Sequence, residues 1–553
     1  MTRLFSGNKN PGDHLWPVLL ISGIALLFNL NGWGVTETSE ARYAEIAYEM
    51  YQTGDYLHPR LLEIQHYHKP PLTYWITALS YHIFGPNAFA ARFFQQFMIL
   101  IQMVLVFHLT QMFTKNRRTA VSAALIYISL PAVLISARAL TTDVFLNTFV
   151  LLSVFFWAKR RLSGQPVWLY LTYLSLALGF MTKGPVVFII PAVTIPLLNH
   201  LMPSRQKGQG FHHIAGFLLF LTTGASWYLY LVGENPAFLD YFVIDHTINR
   251  FATNQFNRGE PFWFYFLLVP AMSFPWLLLS VWHSLFKKTS QWTHKRVLWL
   301  WIGIPLIFFS LSTSKLILYV LPIFPAIAII SAIVWTNLSA KIRKRWNIAL
   351  SGYHTLIISS LLVAGFVPLA DINYSSSMYV TLGIMSTVVV LQILRISRTR
   401  NTVWIAASFS LLLIIFSTYF LEANPLIGND QRNVALLAKE KLSESGHIMV
   451  YDRRLPSVAF HAHHPIISIN NGNEGLTRET IFEKSEKWKD SLIDINDDRL
   501  NEEAFFEGSV LLSRMEDASE PAFIRLASFF SDRQTVDGWM ILSGVNQNNN
   551  HNK

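Results

Sequence analysis

Thirteen long apolar runs constrain this chain more than any other feature of its sequence. Each is about 17–25 residues long, which is enough for a helix to cross the ~30 Å hydrocarbon core of a bilayer. The runs fall near residues 15–33, 88–113, 119–136, 143–158, 166–182, 184–201, 214–232, 262–286, 297–312, 316–337, 348–369, 378–394 and 402–421. Only 14% of the residues are charged, against roughly 25% in a soluble protein. We therefore predict an all-α polytopic membrane protein with about thirteen transmembrane helices, twelve and fourteen remaining open.

The basic residues between the runs predict the orientation of the chain. If the N-terminus is cytoplasmic, the inner segments contain 21 Lys and Arg residues and a single acid, Asp13. The positive-inside rule predicts this asymmetry. The net charge of +10 then follows from topology, and nucleic acid is not expected as a partner. The chain has no cysteine, which excludes disulfides and thiolate metal sites.

The composition changes sharply after Glu422. Residues 425–553 contain 14 bases and 20 acids, and their apolar stretches are short enough to be strands. The expected strands are 447–452, 465–469, 509–513 and 539–543, and the expected helices are 434–445 and 456–463. We predict a transmembrane domain over 1–424, a small α/β domain over 425–545 and a disordered tail over 546–553. An odd number of spans places the small domain on the outer side.

The longest polar interruption of the membrane domain is a loop over residues 34–71, which we call the first loop. It contains six acids and three bases and is predicted to face the outside. A loop between spans need not be charged in order to fold, so these charges indicate function. The segment after it, 72–84, is short and aromatic and predicts a helix lying at the membrane interface.

Glu37 and Glu40 are the first candidates for chemistry in the first loop. Their spacing can place both carboxylates on one face of a helical turn. One could act as a general base on an acceptor hydroxyl, with the other or Arg42 fixing its orientation. Acids that complement the dipole at a helix N-terminus would give the same pattern.

Lys69 is the second candidate, because it directly precedes two prolines. Proline restricts the residue before it to extended backbone, which suits a fixed cation that meets a phosphate. An interfacial anchor is the alternative. Lys69 also belongs to a set of nine outer bases that oppose the positive-inside rule. They are Arg42, Arg60, Lys69, Arg92, Arg138, Lys183, Arg250, Arg258 and Lys315. A polyanionic ligand on the outer face would explain the set, and a lipid headgroup would explain any single member.

Further charges lie at the predicted outer ends of later spans. They are Arg138 and Asp143 in SARALTTDVF, Lys183 in FMTKGP, and Lys315 with Tyr319 in STSKLILYVLPIFP. The loop 233–261 contributes a mixture of aromatic and basic residues that suits a sugar or a phosphate. The histidines His461, His463 and His464 have no carboxylate at ligand spacing, so we predict surface or core histidines and no metal site there.

Taken together, these segments resemble a known family. SEARYAEIAYEM, GDYLHPRL and YHKPPLTYW, followed in order by TTDVF, TKGP, DHTINRF, PFWFY and SKLILYVLPIFPAIA, are similar to bacterial phospholipid-carrier-dependent glycosyltransferases. These are GT-C superfamily relatives of protein O-mannosyltransferases, and they include the aminoarabinose transferases of lipid A. The resemblance covers most of residues 30–330. It implies inverting transfer of a sugar from a polyprenyl phosphate carrier, usually undecaprenyl phosphate, on the periplasmic face.

The resemblance also implies roles for individual residues. An acid of the first loop would activate the acceptor hydroxyl, and cations would stabilise the departing polyprenyl phosphate. The positions that match the family's motifs are Glu40, Arg42, Tyr43, Lys69, Asp143, Lys183, Lys315 and Tyr319. Two positions depart from them: Ser39 stands where the family commonly has Asp, and His68 where it often has an acid. The base is then Glu37 or Glu40, and His68 could transfer protons near neutral pH.

The full prediction is a transferase that moves an aminoarabinose-type sugar from undecaprenyl phosphate to lipid A in the bacterial inner membrane. The predicted catalytic residues are Glu40, Glu37, Asp143 and His68. The predicted substrate-binding residues are Arg42, Tyr43, Arg60, Lys69, Arg138, Lys183, Arg250, Arg258, Lys315 and Tyr319. No cofactor is expected beyond the lipid carrier substrate, although a divalent metal remains open.

Three alternatives stay open at this point. The same chemistry could act on a protein or another glycan. A transporter or flippase for a lipid-linked sugar would fit the membrane fold, but the sequence has no internal repeat and its outer charges gather at the ends of spans. A catalytically inactive scaffold would fit the serine at position 39.

Overall fold

A computed structural model describes residues 14–202, 210–249, 252, 259–286, 295–366, 372–394 and 402–545. The chain forms two compact units. The helical unit comprises the described parts of residues 1–28, 95–138 and 142–420. The mixed unit comprises residues 29–94 and 139–141 and the described part of 421–553. The predicted disordered tail, 546–553, lies outside the described residues.

The chain up to residue 423 is built from helices, apart from the first loop. Outside that loop, the α-helices of the described residues are Leu15–Leu27, Leu72–Phe84, Ala88–Thr114, Arg117–Ile128, Pro131–Ser136, Thr142–Ser163, Val167–Lys183, Ile189–Leu201, Gly210–Phe220, Ser226–Glu234, Ala237–Asp240, Phe264–Met272, Trp276–Phe286, Lys295–Leu311, Phe324–Asn337, Ala340–Phe366, Ser376–Leu394 and Thr402–Ala423. Short 3₁₀ helices occur at Gly184–Phe188 and Ile317–Ile323, and π-helical turns at Leu221–Ala225 and Tyr241–Asn249.

Eight helical stretches of the described chain are long and apolar enough to cross a membrane. They are Ala88–Thr114, Thr142–Ser163, Val167–Leu201, Gly210–Glu234, Ile317–Asn337, Ala340–Phe366, Ser376–Leu394 and Thr402–Ala423. A ninth results if Phe264–Met272 and Trp276–Leu285, which meet at a bend of 106°, count as one broken span. The prediction of a polytopic membrane protein is confirmed.

Some predicted runs give shorter or merged helices. The run 119–136 is divided at Leu130, whose extended backbone precedes Pro131, because proline disfavours helix in the residue before it. The runs 166–182 and 184–201 form one continuous helical stretch, Val167–Leu201. The first run gives a helix of 13 residues, Leu15–Leu27. The count of thirteen spans therefore remains a prediction.

Burial differs strongly among the helices of the helical unit. In Phe324–Asn337 every side chain from Phe324 to Trp335 is buried, and this helix packs against Arg117–Ile128. In contrast, Ala340–Phe366 and Ser376–Leu394 carry large apolar side chains on the surface. These include Leu356, Val363, Val380, Ile384 and Leu394. Exposed apolar faces of this kind suit contact with lipid.

The mixed unit contains a two-stranded hairpin of β1 (Arg60–Leu61) and β2 (Ile64–Gln65), followed by the strands β3 (Ile448–Tyr451), β4 (Ile466–Asn470), β5 (Leu492–Asp494), β6 (Val510–Arg514), β7 (Phe530–Val536) and β8 (Trp539–Val545). The last six strands form one sheet in the order β5-β4-β3-β6-β8-β7. β3 to β6 pair in parallel, with Ile448 opposite both Ile466 and Val510, and β7 and β8 are antiparallel. All residues of β3 and β4 are buried, as expected for central parallel strands.

The first loop belongs to this same unit. Its helix Ser39–Thr53 ends at Gly54, which has a φ of +71° and can adopt this left-handed cap without a Cβ clash. The segment predicted as a helix, 72–84, is one: Leu72–Phe84 follows the two prolines directly. Ser39–Thr53 packs against it and also against the helix Pro456–Ala462. The first loop and the C-terminal segment therefore form one compact unit.

Candidate functional site

Glu40 lies in the first turn of the helix Ser39–Thr53 and is only 2% exposed. Arg92 donates to both carboxylate oxygens, from Nε at 2.7 Å and from Nη2 at 2.8 Å. Leu140 donates its main-chain N–H to Oε1 at 2.8 Å. Thr36 donates its N–H and its hydroxyl to Oε2, at 2.9 and 3.0 Å. A carboxylate has about four lone-pair positions, so these donors occupy Glu40 and favour a positioning role over the predicted role of base.

Arg92 ties the start of the first loop to the helix Ala88–Thr114 and is missing from the predicted site residues. Its Nη1 donates to the carbonyls of Leu30 and Trp33, at 2.8 and 3.0 Å, and its Nη2 to that of Gly34 at 2.7 Å. The guanidinium lies 3.9 Å from the centroid of the Trp33 ring. A signal was available in the sequence, because Arg92 is one of the nine outer bases that oppose the positive-inside rule.

Glu37 has surroundings of a different kind. Its Oε1 accepts the main-chain N–H of Ser457 at 2.8 Å. Burial raises the pKa of Glu37 to about 7, although the hydrogen bonds from Ser457 and the charges of Arg42 and Arg514 act to lower it. A carboxyl group that titrates near neutral pH is well suited to act as a general base. Of the two predicted bases, Glu37 has the more suitable environment.

Arg42 and Tyr43 lie in the same helical turn and are half-buried. Arg42 is close enough to Glu37 to lower its pKa, and no carboxylate of the described chain forms an ion pair with it. A half-buried cation in this state suits a ligand anion. The Tyr43 ring is 5.9 Å from the ring of Tyr74, which holds it against the helix Leu72–Phe84.

Arg60 is engaged in the hairpin that carries it. Its Nη1 donates to the carbonyl of Glu63 at 3.0 Å and lies 3.8 Å from a carboxylate oxygen of Glu483. The first contact closes the turn between β1 and β2, and the second links the hairpin to the C-terminal segment. The predicted role of Arg60 in binding substrate therefore requires these contacts to be shared with a ligand.

His68 and Lys69 follow the hairpin, and both are half-buried. The Nε2 of His68 lies within hydrogen-bonding distance of Oε1 of Glu479, a residue distant in sequence. Arg478 also bonds to both of these groups, at 3.2 Å to His68 and 3.0 Å to Glu479. His68 is therefore linked by polar contacts to the C-terminal segment within the mixed unit. The sequence alone contained no signal for this pairing.

His66 completes a cluster that could hold a metal ion. Donor atoms of His66, His68 and Glu479 all lie within 4.8 Å of one another, and two imidazoles with one carboxylate are a donor set of the zinc type. However, Arg454 and Arg478 already bond to Glu479, and two adjacent guanidinium groups oppose a divalent cation. Burial and nearby positive charges lower the pKa of His66 well below its ordinary value. The sequence predicts no metal ligands and leaves a divalent metal open, and these contacts do not decide between the two.

Asp143, Lys183 and Tyr319 come together within the helical unit. Asp143 lies in the first turn of Thr142–Ser163, and Lys183 is the last residue of Val167–Lys183. The Nζ of Lys183 forms an ion pair with Oδ1 of Asp143 and lies 4.3 Å from the centroid of the Tyr319 ring. A cation between a carboxylate and an aromatic face has the chemistry to bind a phosphate or a sugar. The structure thus assembles three of the predicted residues.

Lys315 and Arg138 bond to main-chain carbonyls. Lys315 donates from Nζ to the carbonyl of Glu260 at 2.7 Å. Arg138 donates to the carbonyls of Leu26 and Ala25, at 3.3 and 3.1 Å. Cations at the C-terminal end of a helix satisfy carbonyls that lack a partner in the helix. These contacts favour a structural role for Arg138.

The remaining residues that the sequence singled out include Arg250, Arg258 and His461. Arg250 and Arg258 lie outside the described residues. The Nε2 of His461 accepts the main-chain N–H of Val35 at 2.9 Å, and burial lowers the pKa of this histidine to about 3. His461 is therefore a neutral, half-buried histidine in this structure.

Comparison with known proteins adds to this geometry. A family described as dolichyl-phosphate-mannose-protein mannosyltransferase matches residues 68–229. An undecaprenyl phosphate-alpha-4-amino-4-deoxy-L-arabinose arabinosyl transferase from Pectobacterium atrosepticum is 30% identical over 368 residues. This match covers 64% of the chain and 65% of that relative's length. Transferases of the same description from Sodalis glossinidius (32% identical; 64% of the chain and 65% of the relative) and Pseudomonas fluorescens (27% identical; 79% and 82%) also match.

A solved structure extends the likeness to nearly the whole chain. The crystal structure of ArnT from Cupriavidus metallidurans bound to undecaprenyl phosphate aligns with a TM-score of 0.78 at 19% identity. The alignment covers 96% of this chain and 99% of that one. The chain shares this fold. The resemblance to phospholipid-carrier-dependent glycosyltransferases, seen first in the loop motifs, is confirmed.

Proposed function

We propose that this protein is an inverting glycosyltransferase that moves an aminoarabinose-type sugar from undecaprenyl phosphate to lipid A. The observation that carries this proposal is the fold, which aligns over 96% of the chain with ArnT bound to undecaprenyl phosphate. The names of the relatives support the sugar. The Lys183 and Arg42 sites support an anionic carrier, because each offers a cation to a phosphate.

We further propose the membrane arrangement that the sequence predicts. The chain would cross the bacterial inner membrane about thirteen times, with a cytoplasmic N-terminus and the mixed unit in the periplasm. The charge asymmetry of the loops supports this orientation. Glu37, Arg42 and Lys69 would then all lie on the face where a lipid-linked sugar and lipid A are available.

In the proposed reaction, an acceptor oxygen attacks the anomeric carbon of the sugar from the side opposite the carrier. The bond between that carbon and the carrier phosphate breaks, and its electron pair stays on the phosphate oxygen. Glu37 takes the proton of the acceptor, because its pKa near 7 allows it to bind a proton at neutral pH. Glu40 keeps the first loop in place through Arg92. Lys69 and Arg42 stabilise the charge that develops on the departing phosphate.

Mass spectrometry of lipid A tests the proposal. Cells with the wild-type gene, with a disrupted gene, and with Glu37→Gln or Glu507→Gln in its place would be compared. We expect the aminopentose increment in the wild type and in Glu507→Gln, whose side chain is exposed, and its loss in the other two. An unchanged spectrum after disruption would refute lipid A as acceptor. It would direct the search to a protein acceptor, for which the mannosyltransferase family match is the specific support.

A further inference from the structure

A pair of basic residues lies in the helical unit, in the last turn of the helix Thr142–Ser163. Arg160 and Arg161 occupy this turn, whereas Asp143, the partner of Lys183, lies in the first turn of the same helix. The helix has 22 residues and is therefore about 33 Å long. The two arginines are thus remote from Asp143 and Lys183, and they require an explanation of their own.

Arg160 is only 5% exposed, and its contacts fix its position. Its Nη2 lies 2.9 Å from Nε2 of His213, and its guanidinium carbon lies 4.7 Å from the centroid of the Trp157 ring. Because a guanidinium group can only donate, Nε2 of His213 accepts this hydrogen bond. The proton of a neutral imidazole is then on Nδ1, which lies 3.1 Å from the hydroxyl of Tyr173. These contacts position the guanidinium group without neutralising its charge.

Arg161 is half-buried and has donor capacity to spare. Its Nη2 donates to the main-chain carbonyls of Asn199 and Met202, at 2.8 and 2.5 Å. Its Nε is buried and has no hydrogen-bond partner in the part of the chain that the structure describes. A buried donor without an acceptor is costly, because it has lost its water and gained nothing in return. An acceptor from outside the protein would remove this cost.

The helices that surround the two arginines contain no acid beyond Asp143. The sequence has no Asp or Glu between Asp143 and Glu234, a range that includes Val167–Lys183, Ile189–Leu201 and Gly210–Phe220. It does include Lys159, whose Nζ lies 5.8 Å from the centroid of the Trp168 ring. The excess of positive charge at this end of the helices favours an anionic ligand.

An apolar stripe on the helix that carries His213 indicates what kind of anion would fit. Phe211, Ile214 and Leu218 are 74%, 63% and 54% exposed. Their spacing of three and four residues places them on one face of the helix. A free phosphate would contact the arginines alone. An amphipathic anion could place its charge on the arginines and its apolar part along the stripe.

We propose that this end of the helical unit binds an anionic phospholipid, with its phosphate on Arg160 and Arg161 and an acyl chain along Phe211, Ile214 and Leu218. Guanidinium groups suit phosphate oxygens, which they bind in pairs. The positive-inside rule assigns these helix ends to the cytoplasmic face, where basic pockets between spans bind lipid headgroups. The lipid is neither donor nor acceptor of a sugar, so the inference goes beyond the proposed transferase function and stands without it.

Native mass spectrometry of the purified full-length protein in detergent tests the proposal. The probes are dioleoyl phosphatidylglycerol and dioleoyl phosphatidylcholine, which has the same chains and no net charge. We expect the first phosphatidylglycerol to bind about 10- to 100-fold more tightly, as for one hydrogen bond to a charged group. Arg161→Gln should remove most of this preference, and Arg345→Gln, which replaces an exposed arginine of the helix Ala340–Phe366, should keep it. Equal affinity for the two lipids, an unchanged preference in Arg161→Gln, or the same loss in Arg345→Gln would overturn the proposal.

Competition gives a second readout on the unaltered protein, in case Arg161→Gln does not fold. Glycerol phosphate has the charge of the headgroup but no acyl chain. Because the apolar stripe contributes to binding of the lipid alone, we expect glycerol phosphate to displace phosphatidylglycerol only at a concentration at least about 100-fold higher, which corresponds to burial of a few CH₂ groups. Displacement at equal concentration would show a site for phosphate and not for a lipid, and would overturn the proposal.

Discussion

Glu37 and Glu40 are three residues apart in the first loop, yet their carboxylates have opposite surroundings. Glu40 receives donors from Arg92, Thr36 and Leu140 and is almost fully buried. Glu37 accepts one main-chain N–H, from Ser457, and its pKa is raised to about 7. The spacing that predicted a shared catalytic turn brought together one carboxylate that holds the loop and one that can exchange a proton.

The difference separates two ways in which a protein uses a buried acid. A fully satisfied carboxylate stabilises the fold only as long as its partner cation is present. A carboxylate that burial leaves with few donors holds its proton up to higher pH, which suits acid–base work. The predictions below follow from this contrast, in order of expected effect.

The largest effect is expected from Arg92→Met. This change leaves Glu40 buried without its cation and removes the donors from the carbonyls of Leu30, Trp33 and Gly34. Breaking a buried ion pair in this way costs about 3–5 kcal/mol. Thermal unfolding of the purified protein in detergent measures the loss, with the exposed Lys489→Met as the matched control. A midpoint like that of the wild type would mean that Glu40 is not held mainly by Arg92.

Glu37→Gln should affect activity and leave the fold intact. The amide oxygen can still accept the N–H of Ser457, but the group can no longer take a proton. General-base catalysis contributes about 10²–10⁴-fold, so the transfer rate should fall by this factor with an unchanged unfolding midpoint. If Glu40→Gln lost the same transfer activity while its unfolding midpoint stayed that of the wild type, Glu40 would be the base. The contrast between the two carboxylates would then be wrong.

The pH dependence of the wild-type transfer rate tests the same assignment, that of Glu37 as the general base. A base must be deprotonated to act, and the pKa of Glu37 is about 7. The transfer rate should therefore increase as the pH rises through about 7 and level off above it. In Glu37→Gln the transfer rate should not show this rise with pH. A wild-type rate that is already constant from pH 5 would exclude Glu37 as the titrating group.

Lys183→Met examines a third kind of carboxylate, Asp143, whose one cationic partner among the described residues is Lys183. If Lys183 also binds the carrier phosphate, the KM for the lipid-linked donor should rise about 10- to 100-fold, as for one hydrogen bond to a charged group. Lys183→Arg, which keeps the charge, should recover part of the loss. A change in kcat alone would indicate that Lys183 acts on the reacting groups and not on donor binding.

The smallest effect is expected from Glu486→Gln. Glu486 pairs with Lys489 at 2.9 Å, but its side chain is 83% exposed. An exposed ion pair contributes about 0–1 kcal/mol, so neither the unfolding midpoint nor the transfer rate should change measurably. A clear loss in either would show that exposure is a poor guide to the role of an acid in this protein.

Much of the fold could be predicted because the length and the periodicity of the apolar runs indicate which segments form helices and which form strands. The strand expected at 465–469 lies at Ile466–Asn470, and that expected at 447–452 lies at Ile448–Tyr451. Both are continuous apolar runs of buried strands. The edge strand Phe530–Val536 was missed because its sequence, FSDRQTV, is polar and five of its seven residues are exposed.

The candidate site could be predicted in its residue types but not in its pairings. TTDVF and TKGP indicated Asp143 and Lys183, which do meet. The partner of His68, Glu479, is 411 residues away, and no local pattern reports a contact at that distance. The same is true of Ser457, which sets the environment of Glu37. Pairings of this kind come from tertiary packing, which a single sequence does not display.

The mixed unit is discontinuous in sequence, and this affects how it can fold during synthesis. Residues 29–94 leave the ribosome before any of residues 421–545, which belong to the same compact unit. At roughly 5–20 residues per second, synthesis of the intervening chain lasts roughly 20–60 s. Throughout that interval Glu37 lacks Ser457, and His68 lacks Glu479. The first loop therefore has to stay unaggregated, without half of its compact unit, until the last quarter of the chain is synthesised.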